Sequence, residues 1–72
     1  MQDQVIEIFA QLTGRDAADI TVETRLDEDL ELKSLDKFAL LAMLEAALGK
    51  APDPNLADPW NTVGEWVAFY EA

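Results

Sequence analysis

The sequence contains no cysteine and no histidine among its 72 residues. Without cysteine the chain has no disulfide framework, no thiolate nucleophile and no thiolate zinc site. Without histidine it lacks the commonest general base and metal ligand of proteins. A chain of this length also buries only about 60% of the surface that it exposes when unfolded, which leaves little scaffold for a deep active site. We therefore expect that the protein is not an enzyme.

Basic residues are also scarce, since five lysines and arginines stand against 15 acids and give a formal net charge of -10. Nucleic acids and anionic membranes are bound mainly through Lys and Arg, so we expect neither nucleic-acid binding nor membrane insertion. No apolar run approaches the roughly 20 residues of a spanning helix, and the N-terminus has no signal-peptide pattern. We expect a cytoplasmic monomer whose partners have basic surfaces.

Hydrophobic periodicity predicts a helix at each end of the chain. Residues 3–13 carry an apolar stripe, with Asp3 as the N-cap and Gly14 as the stop. Near the C-terminus, Thr62 and Glu65 have the spacing of a capping box and introduce a helix that runs nearly to residue 72. The first stripe consists of Val5, Ile6, Ile8, Phe9 and Leu12.

The strongest helix formers lie in residues 35–48, and Gly49 ends this second predicted helix. Its core stripe consists of Leu40, Leu41, Leu44 and Leu48. Three prolines between residues 52 and 59 then allow only a single turn at 55–60, with Leu56 and Trp60 facing inward.

Residues 15–33 lack sustained periodicity and contain many side chains that favour turns. A loop of this length is usually functional or pinned by apolar residues of its own. Its predicted anchors are Ile20, Val22, Leu26, Leu30 and Leu32. The predicted fold is all-α, a small antiparallel four-helix bundle with three main helices plus one short helix and a long loop after the first helix.

Ser34 lies directly after an acidic loop and before the best predicted helix. Its hydroxyl is a candidate N-cap, accepting a hydrogen bond from an amide of the first turn. A hydroxyl at a helix N-terminus is also a favourable attachment point for a phosphodiester, because free amides and the helix dipole stabilise phosphate. Both roles stay open on spacing alone.

The cluster of carboxylates at residues 27–31 also needs an interpretation. Such a cluster is usually a solvated surface that keeps a small protein soluble. It lacks the alternating ligands, the turn glycine and the closing glutamate of a calcium loop, so we expect no metal site.

Residues 28–36 read EDLELKSLD. They are followed by Leu40, Leu41, Leu44 and Glu45, then by Pro52-Asp53 and by Thr62-Val63. This arrangement resembles the acyl carrier protein family along essentially the whole chain, which implies one acyl-carrier-like domain over residues 1–72. In that family a phosphopantetheinyl transferase uses coenzyme A to modify the serine of an Asp-Ser-Leu motif. The resemblance assigns the serine of that motif to Ser34 and its leucine to Leu35. The resemblance thus implies a covalent 4'-phosphopantetheine on Ser34 that holds acyl intermediates of fatty-acid, polyketide or related biosynthesis.

The resemblance also implies a partner surface around this serine. Leu35 and Phe38 would be its apolar anchors, with core packing as their alternative role. Its further members would be Asp27, Asp29, Glu31, Lys33, Asp36 and Ala42. The acids would steer docking onto the basic surfaces of the transferase and of acyl-loading, condensing or acyltransferase enzymes.

Departures from the family pattern point to a specialised member. Lys33 stands where the family has an acid that contacts a basic patch on the transferase, so an attraction becomes a repulsion. Glu31 and Leu32 stand where small residues are usual. The second helix is also less acidic than usual, with alanines at 39, 42 and 46, which favours apolar contact with partners.

Two other functions fit the same residues. One is an unmodified acidic helical adaptor or inhibitor that binds a basic protein surface, with Ser34 acting only as a cap. The other is a peptidyl carrier, which the sequence separates poorly from an acyl carrier. We also hypothesise that the cargo is short or polar, because four large side chains would fill the interior: Phe9, Met43, Trp60 and Trp66. The alternative role of these side chains is ordinary core packing.

Overall fold

A computed structural model describes all residues from 1 to 72 and confirms the all-α prediction. The four α-helices are α1 (Gln2–Thr13), α2 (Ser34–Leu48), α3 (Pro54–Ala57) and α4 (Val63–Glu71). A 3-10 turn, which the sequence pattern did not predict, occupies Ala17–Asp19 in the long loop. None of the helices has the length and apolar character needed to cross a membrane.

The ends of the helices follow local capping chemistry, although the predicted cap of α1 is wrong. Gly14 ends α1 at φ +72°, a left-handed conformation that favours glycine. Thr62 and Glu65 form the predicted capping box, in which Oγ1 of Thr62 accepts from the Glu65 amide at 3.4 Å and Oε1 of Glu65 accepts from the Thr62 amide at 3.2 Å. The predicted cap at Asp3 is wrong, because α1 begins after Met1 and Asp3 lies within its first turn.

The core lies where α1, α2 and α4 meet. Trp66 of α4 is fully buried and packs edge-on against Phe9 of α1, with ring centroids 6.2 Å apart. From α2 only Leu40 and Leu44 are buried, and the other two leucines of the predicted stripe are partly exposed. A helix that is apolar on more than one side cannot bury every side in so small a bundle, so part of α2 faces solvent.

The long loop is held against the start of α4 by backbone hydrogen bonds. The amide of Leu26 donates to the carbonyl of Asn61 at 2.8 Å, and the amide of Gly64 donates to the carbonyl of Val22 at 2.8 Å. A Cβ atom on Gly64 would lie 2.9 Å from that Val22 oxygen, so the close approach requires glycine. These bonds explain why a loop of this length is ordered.

Three of the five predicted loop anchors are buried: Ile20, Leu26 and Leu30. Leu32 is half-buried, whereas the prediction for Val22 is wrong because that side chain is exposed. Its backbone rather than its side chain joins the loop to α4.

The short helix α3 is one turn long and begins with a proline that follows the N-cap Asp53. Only Ala57 of its residues is buried. The inward orientation predicted for Leu56 is wrong, because its side chain is 55% exposed. Trp60 packs edge-on against Trp66, with centroids 5.4 Å apart, and shields one side of the core.

Candidate functional site

Ser34 is the first residue of α2 and is exposed to solvent. The N-cap position belongs to Lys33, so the predicted capping role of Ser34 is wrong, and its hydroxyl forms no hydrogen bond within the chain. It is the only serine of the sequence. Every other hydroxyl of the chain takes part in an internal hydrogen bond: Thr13, Thr21, Thr24, Thr62 and Tyr70. Ser34 therefore carries the one uncommitted hydroxyl.

The first turn of α2 is stabilised by a carboxylate from inside the helix. Oδ2 of Asp36 accepts from the Lys33 amide at 2.9 Å, while a lysine side chain has no acceptor and cannot complete a capping box. The amides of Asp36 and Lys37 both donate to the Lys33 carbonyl. The amides of Ser34 and Leu35 precede these first helical bonds and lie at the positive end of the helix dipole.

The three loop acids predicted to steer partners are exposed, and each also makes a contact within the loop or to the segment before α4. Oδ1 of Asp27 accepts from Nδ2 of Asn61 at 2.8 Å. Hydrogen bonds from the Asn61 side chain, and next from backbone amides, lower the pKa of Asp27 because they favour its carboxylate. Asp29 accepts from the Arg25 amide at 2.8 Å. These carboxylates therefore stabilise the conformation of the loop and also give it negative charge.

Glu31 differs from its neighbours in backbone conformation. Its φ is +56°, the one positive value outside glycine. An L-residue in this region is strained, because its Cβ approaches the following carbonyl. The Glu31 side chain is exposed and forms a 3.6 Å salt bridge with Arg15.

The predicted apolar anchors lie outside the core. Leu35 is 82% exposed and Phe38 is 60% exposed, so core packing is excluded for both. Ala42, one turn further along α2, is also exposed. Two large apolar side chains with this exposure, one turn apart at the start of α2, are typical of a docking site.

A small cavity of about 50 Å³ lies beside Ser34, between α2 and the segment around α3. Its walls include Phe38, Leu41, Ala57 and Trp66. Lys37 also lines it and donates a hydrogen bond from Nζ to the Asp58 carbonyl at 3.1 Å. This is the one side-chain hydrogen bond that links α2 to the α3 segment.

A family model for the phosphopantetheine attachment site matches residues 3–70. An acyl carrier protein of Borrelia garinii subsp. bavariensis is 35% identical over 66 residues, covering 92% of this chain and 82% of the relative. One from Streptococcus pneumoniae is 33% identical over 69 residues, covering 96% of this chain and 89% of the relative. The chain belongs to the acyl carrier protein family. Members of this family are carriers rather than catalysts.

The prosthetic group of an acyl carrier protein is phosphopantetheine, and the residues around Ser34 fit it. The attachment chemistry requires an accessible hydroxyl, and Ser34 has the one that is free of internal hydrogen bonds. The positive end of α2 favours a phosphodiester at this position. The small cavity beside Ser34 offers a partly apolar surface for the arm.

Sequence reasoning missed two features of this carrier's site. It gave no role to Lys37, which bridges to the Asp58 carbonyl, because that contact depends on how α3 is placed. It also missed the pairing of Asp27 with Asn61, which are 34 residues apart. No local signal marks either contact. Lys33, which precedes Ser34 in the motif, is exposed.

Proposed function

We propose that this protein holds acyl intermediates as thioesters on a 4'-phosphopantetheine arm attached to Ser34 in the cytoplasm. When bound, the arm supplies the thiol that this cysteine-free chain lacks. The observation that carries the proposal is the uncommitted, exposed hydroxyl of Ser34 at the start of α2. The cargo comes from fatty-acid, polyketide or related biosynthesis.

The chain's own contribution is to present the hydroxyl and its surroundings. Because Ser34 stands in the first turn, its side chain projects where the dipole favours the developing phosphodiester. Asp36 keeps this turn formed by accepting the Lys33 amide at 2.9 Å. The rigid turn thus holds the attachment point at the molecular surface.

Partners would dock on the exposed start of α2. Leu35 and Phe38 provide apolar contact, with Ala42 leaving space for a partner side chain. The acids of the loop attract basic surfaces from a distance. Lys33 opposes that attraction next to the attachment point, which favours a specialised transferase and specialised enzymes.

The small cavity beside Ser34 supports a short or polar cargo. Its volume of about 50 Å³ leaves space for only a few heavy atoms. Trp66, fully buried, occupies the interior that a long chain would need. A longer acyl group would have to displace packed side chains or remain in solvent.

The decisive experiment is intact-mass measurement after incubation with coenzyme A and a broad-specificity phosphopantetheinyl transferase. We expect a mass gain of one phosphopantetheine group on the wild-type chain and none on Ser34→Ala. Thr21→Ala removes another exposed hydroxyl and serves as the matched control, which should be modified normally. Modification of Ser34→Ala would refute the assignment.

The alternative is an unmodified acidic adaptor or inhibitor, which Lys33 favours because it repels a basic transferase. In that case no transferase of any source modifies the wild-type chain. The protein would then bind basic protein surfaces with Ser34 left unmodified.

A further inference from the structure

Three of the five basic side chains have an anionic or aromatic partner in the structure: Arg15 with Glu31, Arg25 with Glu28, and Lys50 with Phe69. Lys33 and Lys37 form no salt bridge, although the chain contains 15 acids. These two lysines stand one residue before and three residues after Ser34. The attachment point is therefore flanked by the two basic side chains that have neither an anionic nor an aromatic partner.

Both lysines stand at the electrostatically unfavourable end of α2. The N-terminus of a helix carries partial positive charge, so cations are stabilising at the other end. The last turn of α2 contains no basic residue, and the first turn contains only Asp36 to offset the two ammonium groups. An additional anion in this turn would be stabilised by the dipole and by both lysines.

We infer that Lys33 and Lys37 bind the phosphodiester of the arm on Ser34 and hold the first part of that arm against α2. Side chains three residues apart on a helix are neighbours, with Cβ atoms about 5–6 Å apart, so the Lys37 ammonium reaches a phosphate on Ser34. Lys37 already lines the cavity beside Ser34 and donates only to the Asp58 carbonyl. The Lys33 side chain is exposed and forms no hydrogen bond.

This inference rests on the proposed function and adds a role for residues of the chain toward the arm. Its consequence is that modification stabilises the folded protein. In the unmodified chain only one carboxylate, that of Asp36, offsets the two lysines at the start of α2, and the phosphodiester adds a second negative charge there. Because the groups lie near the surface, added salt weakens the effect.

The test compares melting temperatures of the unmodified and modified forms of three chains. These are the wild type, the double variant Lys33→Gln/Lys37→Gln, and the control Lys50→Gln. Lys50 lies just beyond the far end of α2, about 22 Å from Ser34 for a 15-residue helix. We expect modification to raise the wild-type melting temperature by about 2–5 °C at low salt. The gain falls by at least half in the double variant, persists in the control and shrinks in 1 M salt.

Phosphorus NMR of the modified proteins gives a readout that does not depend on unfolding. We expect the phosphodiester resonance to shift in the double variant and to stay in place in Lys50→Gln. Equal melting gains in all three chains, with one common resonance position, would show that the phosphate lies free in solvent and would overturn the inference. A wild-type chain that accepts no phosphopantetheine would instead overturn the proposed function, and this inference with it.

Discussion

Asp27 and Asn61 form a reciprocal pair between the acidic loop and the residue before the cap of α4. The Asn61 side chain donates from Nδ2 to Oδ1 of Asp27 at 2.8 Å and accepts from the Asp27 amide at 3.2 Å. The pair adds side-chain bonds to the backbone bonds that hold the loop. It therefore links the charged loop near Ser34 to the core helix α4.

Asn61→Ala should destabilise the protein, because it removes both bonds of this pair. We expect the melting temperature at pH 7 to fall by about 2–5 °C. Asn55→Ala is the matched control, since the Asn55 side chain is exposed and forms no hydrogen bond. An unchanged melting temperature in Asn61→Ala would show that the pair contributes nothing.

The same pair makes stability depend on pH. The pKa of folded Asp27 lies below its unfolded value of about 3.9. The unfolded chain therefore binds a proton at Asp27 more readily than the folded chain does. The stabilisation is complete at pH values above the unfolded pKa and is lost as pH falls through the folded pKa. In Asn61→Ala, an NMR titration of the Asp27 carboxyl should show a higher pKa, and the stability gap to wild type should narrow in acid.

Glu31→Gly should stabilise the fold, because glycine adopts φ +56° without the strain that a Cβ causes. We expect a gain of about 0.5–1 kcal/mol in the free energy of unfolding, measured by urea denaturation. The lost salt bridge to Arg15 is exposed and subtracts little. Glu28→Gly is the control: its φ is not positive, so added flexibility should lower stability. A loss of stability in Glu31→Gly would refute the strain argument.

Leu35→Ala should weaken partner docking while leaving the fold intact, since the side chain is 82% exposed. We expect the rate of phosphopantetheine transfer to fall about tenfold, the effect of an interface anchor worth roughly 1.4 kcal/mol. Leu56→Ala removes another leucine, 55% exposed and outside α2, and should be modified at the wild-type rate. Equal rates for the two variants would place the docking surface elsewhere.

Lys33→Asp should speed modification by a transferase that has a basic docking surface, because it replaces a repulsion with an attraction. At low ionic strength we expect a gain of about tenfold, which fades as salt screens the charges. Lys50→Asp makes the same charge change at the far end of α2 and should have a smaller effect. An equal rate of modification with lysine or aspartate at residue 33 would contradict the argument for a specialised transferase.

Cargo length can be tested by melting the modified protein with acyl groups of increasing length. We expect stabilisation to level off after a short chain, because the cavity beside Ser34 measures about 50 Å³ and Trp66 fills the adjoining core. Each buried methylene would otherwise add about 0.8 kcal/mol. A melting temperature that keeps rising through long fatty chains would contradict the short-cargo hypothesis.

The main helices could be predicted from the sequence, because their signals are local. Periodic apolar residues, the stop at Gly14 and the capping box of Thr62 and Glu65 act within one or two turns, and each stands as predicted. The motif around Ser34 also led to the acyl carrier protein family, since it lies in one stretch of chain. The error at Asp3 is one of a helix boundary, where several residues compete for the cap.

Which side chains are buried or hydrogen-bonded, and which remain free, could not be predicted locally because it depends on how the helices pack together. Whether Leu56 and Phe38 are buried depends on how many sides of α2 and α3 the small bundle can cover. The pairing of Asp27 with Asn61 joins residues far apart in the chain, so no local pattern encodes it. The free hydroxyl of Ser34 likewise depends on the position of every possible partner around it, which packing alone establishes.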